Sequence, residues 1–189
     1  MQQILPLRGG SALSSFRLDK LNRQIEERGS RLRVAFATYW HFVEVSRDPS
    51  PAERTVLERL LTYGPPAAPL PGGGRDVLVT PRPGTISPWS SKATDIARLC
   101  NLDFVVRVER GTVFHLEGEG SLQDVLPALH DRMTEAVLGS LDEAAQLFRH
   151  VAPKPLTEVD VLARGAGAIV EANARFGLAL APDEIDYLV

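Results

Sequence analysis

With one cysteine, Cys100, in 189 residues, the chain can form no internal disulfide, and one thiol beside four scattered histidines supplies no tetrahedral metal set. That usage fits a reducing, cytoplasmic setting. Basic charge is not in excess: 21 Lys and Arg against 24 Asp and Glu give a formal net charge of −3, with the cations scattered rather than striped, which argues against nucleic acid as a partner. No stretch approaches the roughly 18 consecutive apolar residues of a membrane span. Even Ala136–Phe148 is broken by Asp142 and Glu143. The apolar run in Met1–Arg8 is too short, and lacks the positive leader, for a signal peptide, so export is not expected. Neither a GxxxxGK[ST] phosphate loop nor a GxSxG nucleophile elbow occurs. What is present is a globular composition, 44% hydrophobic and 24% charged, long enough for one full domain and a small second one.

Gln2–Leu7 reads as a short strand ended by Arg8-Gly9-Gly10, with Ser11 capping a helix that carries Leu13, Phe16, Leu21 and Ile25 and closes at Gly29. Arg33–Val45 is rich in β-branched and aromatic residues and predicts a long strand, or a strand pair with a bend. Pro51–Tyr63 predicts a surface helix with Val56, Leu57, Leu60 and Leu61 facing inward. Pro65–Gly74, with Pro or Gly at seven of ten positions, is a loop. The same order then restarts: strand Val77–Thr80, a Gly-containing loop, helix Pro88–Leu99, a β region over Phe104–Glu117 and a helix over Leu122–Leu138. Two β-α-β-α passages imply an α+β fold built by duplication, the units sharing one sheet or stacking two. Asp142–Phe148 predicts a short helix, Pro153-Lys-Pro155 a boundary, and Val159–Leu178 a helical tail. The expected domains are 1–152 and 153–189. Because the chain stops on the amphipathic Glu184–Val189, a helix cut short by truncation is expected.

The chemistry-bearing segment is Thr80-Pro-Arg-Pro-Gly-Thr-Ile-Ser-Pro-Trp-Ser-Ser-Lys-Ala-Thr-Asp95, which packs three Ser, three Thr, an Arg and a Lys into a strand-to-helix junction. Ser87-Pro88 is an N-cap followed by proline at the first helical position. The amides of that first turn, near Ser90 and Ser91, would favour a phosphate or carboxylate. Arg82 and Lys92 could supply counter-charge, and Thr85, Ser87, Ser90 or Ser91 the hydroxyls. A rigid, well-capped loop without a ligand is the competing reading. Elsewhere the signals are structural. Arg8-Gly-Gly-Ser11 reads as a turn, Glu109-Arg-Gly-Thr112 as a hairpin, His130-Asp-Arg132 as polar groups on a helix face, His41 as a satisfied inward residue, and Cys100 as a small core residue.

Arg8–Arg17, Arg59-Leu-Leu-Thr-Tyr-Gly-Pro65, Leu78–Ala97, Val108-Glu-Arg-Gly111, His130-Asp-Arg-Met133 and Gly177–Leu188 together resemble the N-terminal part of the large, single-chain phosphoribosylformylglycinamidine synthases. The resemblance implies membership of an ATP- and glutamine-dependent ligase of purine biosynthesis that converts formylglycinamide ribonucleotide to the amidine. It also implies a domain shaped like a dimer of the small accessory subunit used by split versions of the enzyme, followed by the start of a helical linker domain. ATP, Mg and the catalytic groups belong to the synthetase and glutaminase domains of the full-length chain, so no catalytic residue, metal or cofactor is expected within these 189 residues. Those two domains are the expected partners, and the resemblance makes Arg82, Thr85, Ser87, Ser90, Ser91 and Lys92 substrate-binding or domain-interface residues on the surface that meets the synthetase core, near the ribonucleotide site or the ammonia route. An independent phosphate-binding or self-associating module is the alternative. The sequence departs from the family pattern at Gly165-Ala-Gly-Ala-Ile169 and at Val113-Phe-His-Leu116.

Overall fold

Five extended segments pair into one antiparallel sheet in the computed structural model, which describes residues 3–67, 73–149 and 155–189. The strands are β1 (Gln3–Ser11), β2 (Arg33–Val45), β3 (Arg75–Pro81), β4 (Val105–Glu117) and β5 (Glu135–Leu138), in the order β1-β2-β4-β3-β5. β2 and β4 pair along their whole length, from Arg33 opposite Glu117 to Val45 opposite Val105. The chain divides into two units, Met1–His150 and Val151–Val189. The expected boundary between 152 and 153, and residues 68–72 of the Pro65–Gly74 loop, lie outside the described residues.

One face of the sheet carries four helices. α1 (Ser15–Glu27) and α4 (Leu122–Leu129) cover Val34, Ala37, Val79, Phe114 and Leu116 with Ile25 and Val125. α2 (Pro51–Leu61) and α3 (Pro88–Leu99) cover Val43, Val45 and Val108 with Leu57, Leu61 and Ala97. On the opposite face, Phe42, Leu78, Val113 and Leu138 pack beneath Ala144, Leu147 and Phe148 of a 3₁₀ helix, Asp142–Phe148. Each of the four helices starts at a serine, Ser14, Ser50, Ser87 or Ser121, whose hydroxyl accepts an amide hydrogen of the first turn.

Several expectations change. β1 does not end at Arg8 but runs on to Ser11, so the cap of α1 moves to Ser14. The reason is a close approach: a Cβ on Gly10 would lie 2.6 Å from the carbonyl oxygens of Tyr63 and Pro65, and Ser11 N–H donates to the Pro65 carbonyl at 2.9 Å. Glu109–Thr112 is no hairpin; it lies mid-strand in β4. Gly111 is there for space, because a Cβ would meet Leu78 Cδ1 at 2.9 Å and Val79 O at 3.0 Å. The helix expected over Leu122–Leu138 stops at Leu129, two residues after Pro127. Asp131 then accepts from Met133 N–H at 2.7 Å, turning the chain so that Glu135–Leu138 pairs with β3. Cys100 caps the C-terminus of α3 and is exposed rather than in the core.

The second unit comprises α5 (Val161–Arg164), α6 (Ala166–Phe176) and α7 (Pro182–Leu188). The single tail helix expected there is interrupted at Gly165, whose φ of +57° falls in the left-handed half of conformational space. Asn173 fixes the turn into α7 by donating to the Leu180 carbonyl at 3.0 Å and accepting from the Leu180 amide at 2.9 Å. Among the described residues no helix is long and apolar enough to cross a membrane.

Candidate functional site

The Thr80–Asp95 segment leaves β3 at Pro81 and turns sharply before α3. Thr85 closes that turn, its amide and hydroxyl both donating to the Arg82 carbonyl at 3.2 and 2.7 Å. Ser87 Oγ accepts from the Ser90 amide at 3.0 Å and donates to Glu109 Oε2 at 3.0 Å, while the Ser91 amide donates to the Ser87 carbonyl at 3.2 Å. Pro88 has no N–H. Most of the first-turn donors are therefore already used.

The anion facing this helix N-terminus is Glu109 itself, fully buried. Its charge is balanced by the helix dipole and by Arg107, whose Nη2 lies 3.0 Å from Oε1 and also donates to the carbonyls of Leu147 at 2.6 Å and Thr85 at 3.4 Å. The Arg107 guanidinium rests over the Phe148 ring, 4.9 Å from its centroid. A buried acid thus ties the Thr80–Asp95 loop, strand β4 and the 3₁₀ helix together. A carboxylate at this position would be costly alone and is tolerable only with these partners.

The six expected site residues do not converge on one point. Thr85 and Ser87 are committed inside the loop. Arg82 is exposed, its Nη1 reaching the Met133 carbonyl at 3.4 Å. Ser90 is fully buried, with no hydrogen-bond partner for its hydroxyl. Ser91 and Lys92 are exposed on α3. Lys92 lines a groove of about 260 Å³ between α2 and α3, whose walls include Leu60, Tyr63, Trp89, Ala93 and Ile96.

Beside that groove lies a cluster that sequence reasoning did not assemble. His41 and Arg110 are directly paired residues of β2 and β4, with side chains on the helix-covered face. The Arg110 guanidinium sits between two rings, 4.3 Å from the centroid of Tyr39 and 4.6 Å from that of Trp89. Its Nη1 donates to Tyr63 Oη at 3.1 Å, and Tyr63 Oη lies 2.9 Å from His41 Nε2. His41 stacks on Trp89 at 5.5 Å. Glycine at position 9 makes room for it, since a Cβ there would fall 2.6 Å from His41 Cε1.

Burial pushes the His41 pKa down to about 4, and the neighbouring Arg110 charge acts in the same direction, against a smaller opposing effect of the Leu7 backbone. The ring is therefore neutral at physiological pH. Arg110 can only donate, so the Tyr63 oxygen accepts from it and shares one further hydrogen with His41 Nε2, in the direction set by the imidazole tautomer. Arg110 has no carboxylate partner among the described residues, and its Nε and Nη2 make no hydrogen bond to them. Tyr63, Trp89 and Arg110 each lie in a segment singled out in the sequence. What hid their association was the distance between those segments, together with the hairpin reading of Glu109–Thr112.

No histidine among the described residues is hydrogen-bonded to a serine, threonine or cysteine side chain: His41, His115 and His130 are partnered by Tyr63, Asp76 and the Leu126 carbonyl. No group of three or more His, Cys, Asp or Glu among them could hold a metal ion. The arrangement offers a preorganised cation, an apolar groove and a rigid frame. The family described as formylglycinamide ribonucleotide amidotransferase N-terminal matches residues 38–148, a span that contains the whole cluster and all six expected site residues.

Proposed function

Because the chain belongs to the formylglycinamide ribonucleotide amidotransferase N-terminal family, the N-terminal domain of the purine-pathway synthase, we propose that it is a docking scaffold of that ligase rather than a catalytic unit. In this reading residues 1–152 form the accessory-subunit-like body and 153–189 open the linker. The synthetase and glutaminase domains of the same protein carry ATP, Mg and the chemistry in the cytoplasm. The body helps to enclose the ribonucleotide or the ammonia path.

One observation carries the reading. The loop with the densest set of hydroxyls and charges spends them on internal bonds, with Ser87 on Glu109 and Thr85 on Arg82, and this builds shape rather than a reaction centre. A rigid surface is what a docking partner needs, because little ordering is then left to oppose association. The test has two arms. The purified 189-residue chain should give glutamine-dependent ATP hydrolysis equal to blank, and it should bind a synthetase–glutaminase core lacking this domain, as read by sedimentation velocity. Turnover by the chain alone, or absence of any complex, overturns the proposal.

A further inference from the structure

We propose that the Arg110 cluster and the adjoining α2–α3 groove form the contact point for a polypeptide segment that presents a carboxylate next to a bulky apolar side chain. The inference rests on the docking reading above and narrows it to one surface and one chemistry.

Three observations converge on it. Arg110 is half-buried between the rings of Tyr39 and Trp89 without an acid, whereas Arg107, on the same strand, is paired with the buried Glu109. Ring faces and one phenol satisfy part of the guanidinium but not its charge. Second, Tyr63 holds Nη1, which leaves Nε and Nη2, the side-on edge of the fork, for a bidentate acceptor. Because His41 is neutral, the cluster retains the full cationic charge of Arg110. Third, the groove beside the cluster is largely apolar. The groove shares Tyr63 and Trp89 with the cluster, Ile96 on its wall is 45% exposed, and its own cation is Lys92. A free phosphate would use the charge and leave the apolar wall wet. An acidic side chain flanked by a leucine-like one uses both.

The experiment follows the Trp89 indole and Arg110 Nε signals of the ¹⁵N-labelled 189-residue chain by NMR. The probes are N-acetyl-Leu-Asp-amide, its Leu-Asn analogue and inorganic phosphate. The acidic peptide should shift both signals saturably at millimolar concentration, and the Asn analogue should bind about tenfold more weakly, the loss of one charge-assisted pair. Arg110→Lys, which keeps charge but not the fork, should weaken the acidic peptide at least several-fold. Arg110→Gln should abolish its effect while circular dichroism stays unchanged. Equal response to the Asp and Asn peptides, no saturation, or tighter binding of phosphate than of the acidic peptide overturns the inference. Unaltered binding of Arg110→Gln to the synthetase–glutaminase core also overturns it, and leaves the docking reading standing.

Discussion

Acid should destabilise this domain earlier than its carboxylates alone would dictate, and the cause is one imidazole. His41 is fully buried and its pKa is lowered to about 4, while in the unfolded chain it returns to 6.5. The sign follows from proton counts. Between those two values the unfolded state binds a proton that the folded state refuses, so stability falls as pH falls. At about 1.4 kcal/mol for each pH unit separating the two values, the full effect is about 3 kcal/mol, and roughly 2 kcal/mol of it is lost between pH 7 and pH 5. For a domain of this size that amounts to about 4–8 °C in Tm. Glu53, held at about 2 by Arg47 and the Ser50 amide, contributes only at lower pH and leaves the window clean. The assay is thermal unfolding from pH 7.5 to 5 for the native chain and for His41→Gln, which can still accept from Tyr63. The native chain should lose several degrees more than the variant over this range. Parallel curves would refute the reasoning, as would an NMR titration in which the His41 ring protonates near 6.5 in the folded protein.

Other substitutions probe the frame. Glu109→Gln leaves the Arg107 cation without its counter-charge beneath the sheet and should cost about 3 kcal/mol in urea unfolding; a loss under about 1 kcal/mol would show that the buried pair is not holding the loop. Ser87→Ala removes the cap of α3 and a donor to Glu109, for about 1–2 kcal/mol by the same measurement. Gly111→Ala forces a methyl against Leu78 and the Val79 carbonyl at the strand seam and should cost about 1–3 kcal/mol, read as a lower Tm. Phe42→Ala, at a fully buried position under the 3₁₀ helix, should cost about 3–5 kcal/mol and lower the urea midpoint at unchanged slope.

Periodicity revealed what is local. Helix α3 was legible to the residue because Ser87-Pro88 announces its start, and the β-branched and aromatic run of β2 marked its extent while leaving open whether it was one strand or a bent pair. The errors arose where a distant contact overrode a local cue. The Gly9–Gly10 pair looks like a turn until the Tyr63–Pro65 carbonyls are seen lying over it. Arg110-Gly111 looks like a hairpin until the opposing Leu78 is seen to need the missing Cβ. The candidate site suffered in the same way. Serines and a lysine near a helix start suggest an external anion, but the acid that occupies that place, Glu109, is 22 residues from Ser87 and reads from sequence as a hairpin charge, solvated or paired. The Arg110 cluster draws on β2, β4, α3 and Tyr63, two residues past α2, and no spacing rule links those four segments.

The strand order places this cluster on a local two-fold of the sheet. β1-β2-β4-β3 reads the same from either side if β1 stands for β3 and β2 for β4. The equivalent helix caps are Ser14 with Ser87 and Ser50 with Ser121, and the residues bulged out of the central pairing are Ala35 in β2 and Val106 in β4. This regularity gives the four strands an approximate two-fold. The local two-fold then passes through the Trp40–Gly111 pair and makes Tyr39 the equivalent of Arg110. In a symmetric dimer of identical units both positions would hold the same residue: two arginines would repel across the seam, and two tyrosines would present no cation. In this chain the two positions differ, and the Tyr39 ring stacks on the Arg110 guanidinium at 4.3 Å. The cation–π pair at the centre of the sheet therefore breaks the local two-fold, and where α1 and α4 stand in the place of α3 and α2, Leu18, Leu21, Leu122 and Leu126 pack against the core.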